Sequence, residues 1–181
     1  MDLTTVIIII AIVIIVYFIY VYNKIIKAKN MNKEAFSNVD VALKQRYDLI
    51  PNLVETVKGY ANYEGDILKK VAELRGGNAK ISARGNLETD FSNEIKSVLA
   101  IMENYPNLKA SEGFIKFQEG LTKVEETIEM ARRYYNGTTR EYNILIQKFP
   151  NNIIAMITNS KPKDYFEVDL VTRQSPKVNM N

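Results

Sequence analysis

Arg46, Asp48, Asn52 and Glu55 crowd around Pro51 in "LKQRYDLIPNLVETVKGYANYE", Leu43 to Glu64. A guanidinium, two carboxylates and an amide at this spacing can grip a partner's polar groups, or place a proton donor beside an acceptor. They can also satisfy backbone groups freed where a proline interrupts a helix. Glu64 and the group Glu125, Glu126 and Glu129 supply further carboxylates suited in principle to acid and base work. Charge runs of that kind on a helix ordinarily solvate an exposed face. The 181 residues contain neither histidine nor cysteine. That removes the commonest general base, Cys and Ser/His nucleophilic systems, and zinc sites of the usual ligand types. No nucleophile stands beside a base in any combination, so no catalytic, cofactor-binding or metal-binding residue is assigned and no cofactor is expected.

A proline inside a continuous helix loses one backbone hydrogen bond and clashes with the carbonyl four residues back, here Tyr47, a cost of roughly 3 kcal/mol. Two arrangements relieve it. The helix kinks and continues, its freed carbonyl taking water or a side chain. Alternatively the chain turns a corner, with Asp48 capping a new helix whose first turn tolerates proline. In both, Asp48 caps, Asn52 bonds freed backbone groups, and Arg46 pairs with Asp48 or Glu55. The other use of the same stretch is a docking surface for a protein partner, made by Arg46, Asp48, Pro51, Asn52 and Glu55.

The elements that carry these residues read as helices. Leu43, Tyr47, Ile50, Val54, Val57, Ala61, Leu68 and Val71 keep steps of three and four, broken only at Glu64. "RGGNAKISARGN", Arg75 to Asn86, breaks the pattern: Gly76 and Gly77 suit a helix end and Asn86 a cap. A phosphate-cradling loop is disfavoured there, since no GK[ST] ending or preceding strand accompanies the glycines. Leu87, Phe91, Ile95, Val98, Met102 and Tyr105 mark a second helix ending near Pro106, with "NYPNLKAS" as the turn. A third stripe runs from Phe114 to Phe149 and is closed by Pro150, with a short further turn at Ile153 to Ile157. Asn136 and Asn143, seven apart, lie on one face of that helix beside Tyr135 and Tyr142. An asparagine near a bundle seam fixes register at some cost in stability; the alternative is a polar binding groove. Gly59 and Gly137 inside helices point to close helix approach, since glycine costs up to roughly 1 kcal/mol relative to alanine.

"LTTVIIIIAIVIIVYFIYVY", Leu3 to Tyr22, has no charged side chain. About 20 helical residues at roughly 1.5 Å each match a hydrocarbon core of roughly 30 Å, so this is a membrane span. A signal peptide fits less well, lacking a charged n-region and a small-residue cleavage site. Lys24, Lys27, Lys29 and Lys33 lie just behind the span and would contact lipid headgroups. Their side is the cytoplasmic one by the positive-inside bias, which leaves the N-terminus outside and the bulk of the chain cytoplasmic at the cell membrane. With 24 basic and 21 acidic residues, net charge +3, the chain has no nucleic-acid-binding stripe, and nucleic acid is not an expected partner.

The chain resembles the LemA family. The resemblance is carried by "VDVALKQRYDLIPNLVETVKGYANYE" (Val39 to Glu64), "ENYPNLKASEGFIKFQEGL" (Glu103 to Leu121), "ARRYYNGTTREYNILIQKFPNNIIA" (Ala131 to Ala155) and "YFE" (Tyr165 to Glu167). It implies a bacterial, membrane-anchored helical bundle with its bulk in the cytoplasm and brings no catalytic residue set; one branch of the family is associated with magnetosome membranes. Gly137 and the two threonines after it depart from the better helix formers usual at those positions. The expected fold is all-α: an N-terminal transmembrane helix, then an up-and-down bundle of three to four long antiparallel helices packed as in a coiled coil. The expected division is an anchor at 1–23, a bundle at 24–158 and a largely irregular tail at 159–181. The expected function is a non-enzymatic scaffold or adaptor presenting the bundle to a membrane or cytoplasmic protein. The alternative is a protein that organises or clusters membrane directly, self-associating as a homo-oligomer on the lipid bilayer; an enzyme ranks last.

Overall fold

A computed structural model of the chain describes residues 2–59, 93, 95–100 and 102–166, which are helical or connecting, with no strand among them. Helix α1 runs unbroken for 46 residues, Leu3–Asp48. Its length reflects composition: neither glycine nor proline occurs before Pro51, so nothing breaks the backbone ladder. The apolar anchor and the basic residues behind it therefore share one helix. Leu49 alone separates α1 from α2, Ile50–Gly59. Residues 95–100 are helical and lead to α3, Pro106–Lys109, then α4, Glu112–Gln147, and α5, Asn151–Ile157.

The interruption at Leu49 is brief. Its N–H donates to the Arg46 carbonyl at 3.3 Å, and its own carbonyl accepts from the Leu53 N–H at 3.3 Å. Pro51 is the second residue of α2, where a missing N–H costs no intrahelical bond. The proline thus lies in the first turn of a new helix. Asp48 does not cap it: this residue closes α1, is exposed and makes no side-chain hydrogen bond among the described residues.

Two compact units divide the chain, Asp40–Met130 with Phe166–Asn181, and Met1–Val39 with Ala131–Tyr165. In the former, the core gathers Ile50, Leu53, Val54 and Val57 of α2, then Ile95, Val98, Met102, Leu108, Phe114 and Phe117. Their periodicity predicts burial for most of these, at about 1.5–3 kcal/mol for each large side chain fully removed from water. Leu53 lies outside the predicted stripe, and so does Leu108, which sits in a segment that reads as a plain turn. Pro106 starts a single helical turn there, which turns Leu108 into the core at 1% exposure. Ser111 then caps α4, its hydroxyl accepting from the Phe114 N–H at 3.3 Å while donating to the Leu108 carbonyl at 2.6 Å.

Helices α2 and α4 pass each other antiparallel at close range. A Cβ on Gly113 would lie 2.7 Å from Thr56 Oγ1, and one on Gly120 would lie 3.2 Å from Leu49 Cδ2. A step forward from Gly113 to Gly120 on α4 thus matches a step backward from Thr56 to Leu49, and glycine keeps both approaches open. Among the described residues the close-approach glycines are therefore Gly113 and Gly120. At Gly59 and Gly137, where the sequence points to close approach, an added Cβ meets nothing within 4 Å among the described residues.

In the other unit, Val21 and Ile25 of α1, Tyr142 and Ile146 of α4, and Ile154 and Ala155 of α5 form one core, with Phe18, Ala28 and Leu145 packed against it. The Phe36 and Tyr135 rings meet edge to face, 5.6 Å between centroids. Helix α5 ends in a left-handed residue, Asn159 at φ 50°. The Ser160 N–H returns to the Ala155 carbonyl at 2.8 Å and the Asn159 N–H to the Met156 carbonyl at 3.2 Å, so two terminal carbonyls are satisfied. Residues 160–166 are irregular, as the tail is expected to be, but they are pinned to α4. The continuation of the first stripe through Ala61, Glu64, Leu68 and Val71, the break at Arg75 to Asn86, the start of the second helix at Leu87 and Phe91, and the tail from Glu167 lie outside the described residues.

Candidate docking surface and polar seam

Along α1 the inward stripe is Phe18, Val21, Ile25, Ala28, Asn32, Ala35, Val39, Ala42 and Arg46, in alternating steps of three and four. Two members are polar, and each meets a polar partner. Asn32 Nδ2 donates to Thr139 Oγ1 at 2.7 Å and to Thr138 Oγ1 at 3.3 Å, while Thr138 donates onward to the Tyr135 carbonyl at 2.8 Å. The contacts of Asn32 with Thr139 and of Phe36 with Tyr135 run in opposite senses along the two helices, so α1 and α4 are antiparallel in this unit.

Arg46 is 1% exposed and donates from Nη1 to Glu125 Oε1 at 3.0 Å, the carboxylate remaining 48% exposed. This differs from the local pairing with Asp48 or Glu55 that the sequence suggests. The physical reason is helical phase. Arg46 comes four residues after Ala42 and seven after Val39 and so stays on the buried side, a stripe that continues through Ile50, Leu53 and Val57, whereas Asp48 and Glu55, two and nine residues on at about 100° per residue, fall on the opposite, exposed side. Glu125 is accordingly a structural partner and not only part of a solvating cluster. Breaking such a pair leaves a buried charge less well compensated, which costs more than the pair's net contribution.

Of the five residues expected to form a docking surface, Asp48, Pro51, Asn52 and Glu55 are exposed, and Arg46 is turned inward. Ile50, Leu53, Val54 and Val57 between and beyond them are buried, so α2 holds the polar residues on its outer side by packing its inner one. The side chains of Asp48, Asn52 and Glu55 make no hydrogen bond or ion pair among the described residues; the Asn52 carbonyl accepts from Thr56 Oγ1 at 2.8 Å. The expected bonding of Asn52 to freed backbone groups is thus not made. Lys24, Lys27, Lys29 and Lys33 are all exposed on α1.

Asn143 is buried, but its partner is the tail. Its Nδ2 donates to the Lys163 carbonyl at 2.9 Å and its Oδ1 accepts the Lys163 N–H at 2.8 Å, while Tyr135 donates to the Asp164 carbonyl at 2.9 Å. Asn136 is half-buried. Asn32, Thr138 and Thr139 make a buried polar contact between α1 and α4, and none of the three is singled out as a seam residue by the sequence motifs. Extending the three-and-four spacing back from Val39 leads to Asn32. On α4, Lys116 donates to Glu112 at 2.6 Å, one turn apart. That hydrogen bond, aided by the opposite charge, holds the Glu112 carboxyl below its ordinary range and raises the Lys116 ammonium above its own.

Residues 35–180 match the family model described as the LemA family. The chain is 27% identical over 145 residues to Protein LemA of Metamycoplasma hominis, an alignment covering 77% of this chain and 66% of that protein. It is 25% identical over 179 residues to magnetosome protein MamQ 2 of Paramagnetospirillum magneticum, covering 81% of this chain and 64% of that one. Over 159 residues it is 25% identical to magnetosome protein MamQ of Magnetospirillum gryphiswaldense, covering 72% and 58%. The chain thus spans a little under two thirds of the length of the curated relatives it matches.

Proposed function

Since the chain belongs to the LemA family, we propose that it is a non-enzymatic, membrane-anchored scaffold that presents α2 to a protein partner. The observation that supports this is the exposed polar strip Asp48, Pro51, Asn52 and Glu55, whose polar side chains are unengaged among the described residues although the helix beneath them is firmly packed. Pre-set polar groups on a rigid helix are suited to recognition, because little order has to be imposed on binding. Among the described residues, α1 is the helix long and apolar enough to cross a membrane, with a mean hydropathy of 3.0 over its most apolar window. The lysines behind the span favour a cytoplasmic position for the rest of the chain. The absence of histidine and cysteine favours a binding role over chemistry.

The test is in-cell photo-crosslinking from position 52, with an Asp48→Lys variant alongside. A dominant protein adduct that disappears with Asp48→Lys is the expected result. Adducts confined to the chain itself would sink the scaffold reading.

A second reading has its own support. Two of the similar proteins are named magnetosome proteins, and Lys24, Lys27, Lys29 and Lys33 are solvent-exposed directly behind the span. Direct organisation of membrane would then use this collar, each near-surface lysine contributing roughly 1 kcal/mol of attraction to anionic lipid. Neutralising all four should disperse the protein on the membrane; unchanged clustering would count against lipid contact by the collar.

A further inference from the structure

We infer that the segment from Phe149 to Ser160, built around α5, is a second membrane-contacting element that inserts into the leaflet at the lysine-bearing end of the span. This rests on the reading of Leu3 to Tyr22 as a transmembrane segment and adds a lipid-facing surface from the far end of the sequence.

Depth is the first support. Tyr17 donates from its hydroxyl to Asn151 Oδ1 at 3.0 Å, and Ile154 and Ala155 share a core with Val21 and Ile25, Phe18 packing against it. Tyr17 cannot mark the headgroup plane. If it did, Leu3 to Val16 would have to cross the hydrocarbon alone, and 14 residues at 1.5 Å span only about 21 Å of the roughly 30 Å required. The plane therefore falls near Asn23 and Lys24, about 9 Å of helix beyond Tyr17. An element bonded to Tyr17 lies on the lipid side of that plane, within the roughly 5–10 Å to which interfacial helices bury their apolar face.

Chemistry is the second. "FPNNIIAMITNS" contains no charged residue and is bracketed by Lys148 and Lys161. Four of its outward side chains are large and apolar, Phe149 at 74% exposed, Ile153 at 47%, Met156 at 77% and Ile157 at 66%, beside the exposed amides of Asn152 and Asn159. Such a concentration of apolar surface marks an interaction site. The flanking lysines can extend to the headgroups while their stems stay in the apolar layer.

Backbone accounting is the third. Lipid offers no hydrogen bonds, so an inserted segment must satisfy its own polar groups. This one goes far toward doing so. The Asn152 N–H bonds the Lys148 carbonyl, Ile153 that of Pro150, Thr158 that of Ile154, and Ser160 that of Ala155; Thr158 Oγ1 also donates to the Ile154 carbonyl at 2.9 Å. Asn151 Nδ2 bonds the Leu145 carbonyl at 3.2 Å, and Pro150 has no N–H to satisfy.

The native chain has no cysteine, which makes single-site labelling clean. The full chain is reconstituted in vesicles of mixed zwitterionic and anionic phospholipid, with an environment-sensitive fluorophore at Met156→Cys, Ile153→Cys, Val13→Cys or Glu141→Cys. Labels at 156 and 153 should emit blue-shifted and be quenched by nitroxides on the acyl chains, as at 13, while the label at 141 is quenched by aqueous iodide. Iodide quenching at both 153 and 156, with 13 still quenched by lipid nitroxide, would overturn the insertion and leave the span intact. Protection of 153 and 156 from both quenchers would mean that a second copy or another protein covers the face, and would equally overturn it. A label at 13 open to iodide would remove the span reading, and this inference with it.

Discussion

Replacing Gly113 and Gly137 by alanine separates a glycine required by close packing from one that is not. At Gly137 a new Cβ meets nothing within 4 Å among the described residues, so intrinsic helix preference decides the change. Alanine is favoured there by ~1 kcal/mol, which for a chain of this size raises the midpoint by about 2–4 °C. At Gly113 the same Cβ would lie 2.7 Å from Thr56 Oγ1, 3.0 Å from Cγ2 and 3.4 Å from Cβ. Rotating Thr56 away is not a simple escape, since its hydroxyl is engaged with the Asn52 carbonyl at 2.8 Å and its Cβ is branched. Overpacking of this kind costs ~1–3 kcal/mol. The helix preference for alanine offsets part of it, which leaves a net loss of ~1 kcal/mol or more and a midpoint lowered by a few degrees. Adding Thr56→Ala removes both clashing atoms and should restore the midpoint, giving a coupling of ~1–2 kcal/mol in a double-mutant cycle. The measurement is thermal unfolding of the full chain in detergent micelles, monitored by its helical circular dichroism. If Gly113→Ala raised the midpoint as much as Gly137→Ala, or if Thr56→Ala gave no rescue, α2 and α4 would not approach as described.

Two other perturbations test the electrostatics. Glu125→Ala removes the ion pair at Nη1 of the buried Arg46 and should destabilise by ~1–2 kcal/mol, less than a fully buried pair because the carboxylate is 48% exposed; Arg46→Met, which keeps the volume without the charge, should cost less than Arg46→Ala in the same melting assay. Glu112, its carboxyl held low by Lys116, gives a favourable contribution that is present above the unfolded carboxylate range and lost as pH falls through its lowered value; Lys116, raised, gives one lost only as pH climbs through its raised value. Carbon-detected NMR titration should show Glu112 returning to ordinary behaviour in Lys116→Ala and in high salt, and no change in either would contradict the pairing.

Much of the architecture is legible in the residue order because helices are local objects. The uncharged run from Leu3 to Tyr22, the lack of any glycine or proline before Pro51, and the stripes through Ile95, Val98, Met102, Phe114 and Phe117 set helix type, approximate extent and buried face, since each depends on neighbours three or four positions away. Pro51 likewise announces a break, though whether it sits before, in or after that break depends on packing around Leu49. The partners are decided elsewhere. Arg46 finds Glu125 79 positions on, and Asn32 finds Thr139 107 positions on, so no local rule could choose them over Asp48 or Glu55. The role of each glycine is settled in the same way: Gly113 and Gly137 look alike in the chain, and only the antiparallel register of α2 on α4 brings Thr56 against one and leaves the other open. Periodicity selects the face a helix buries. The tertiary register selects what that face meets, because it aligns helices that are distant in sequence and settles which polar and small residues coincide.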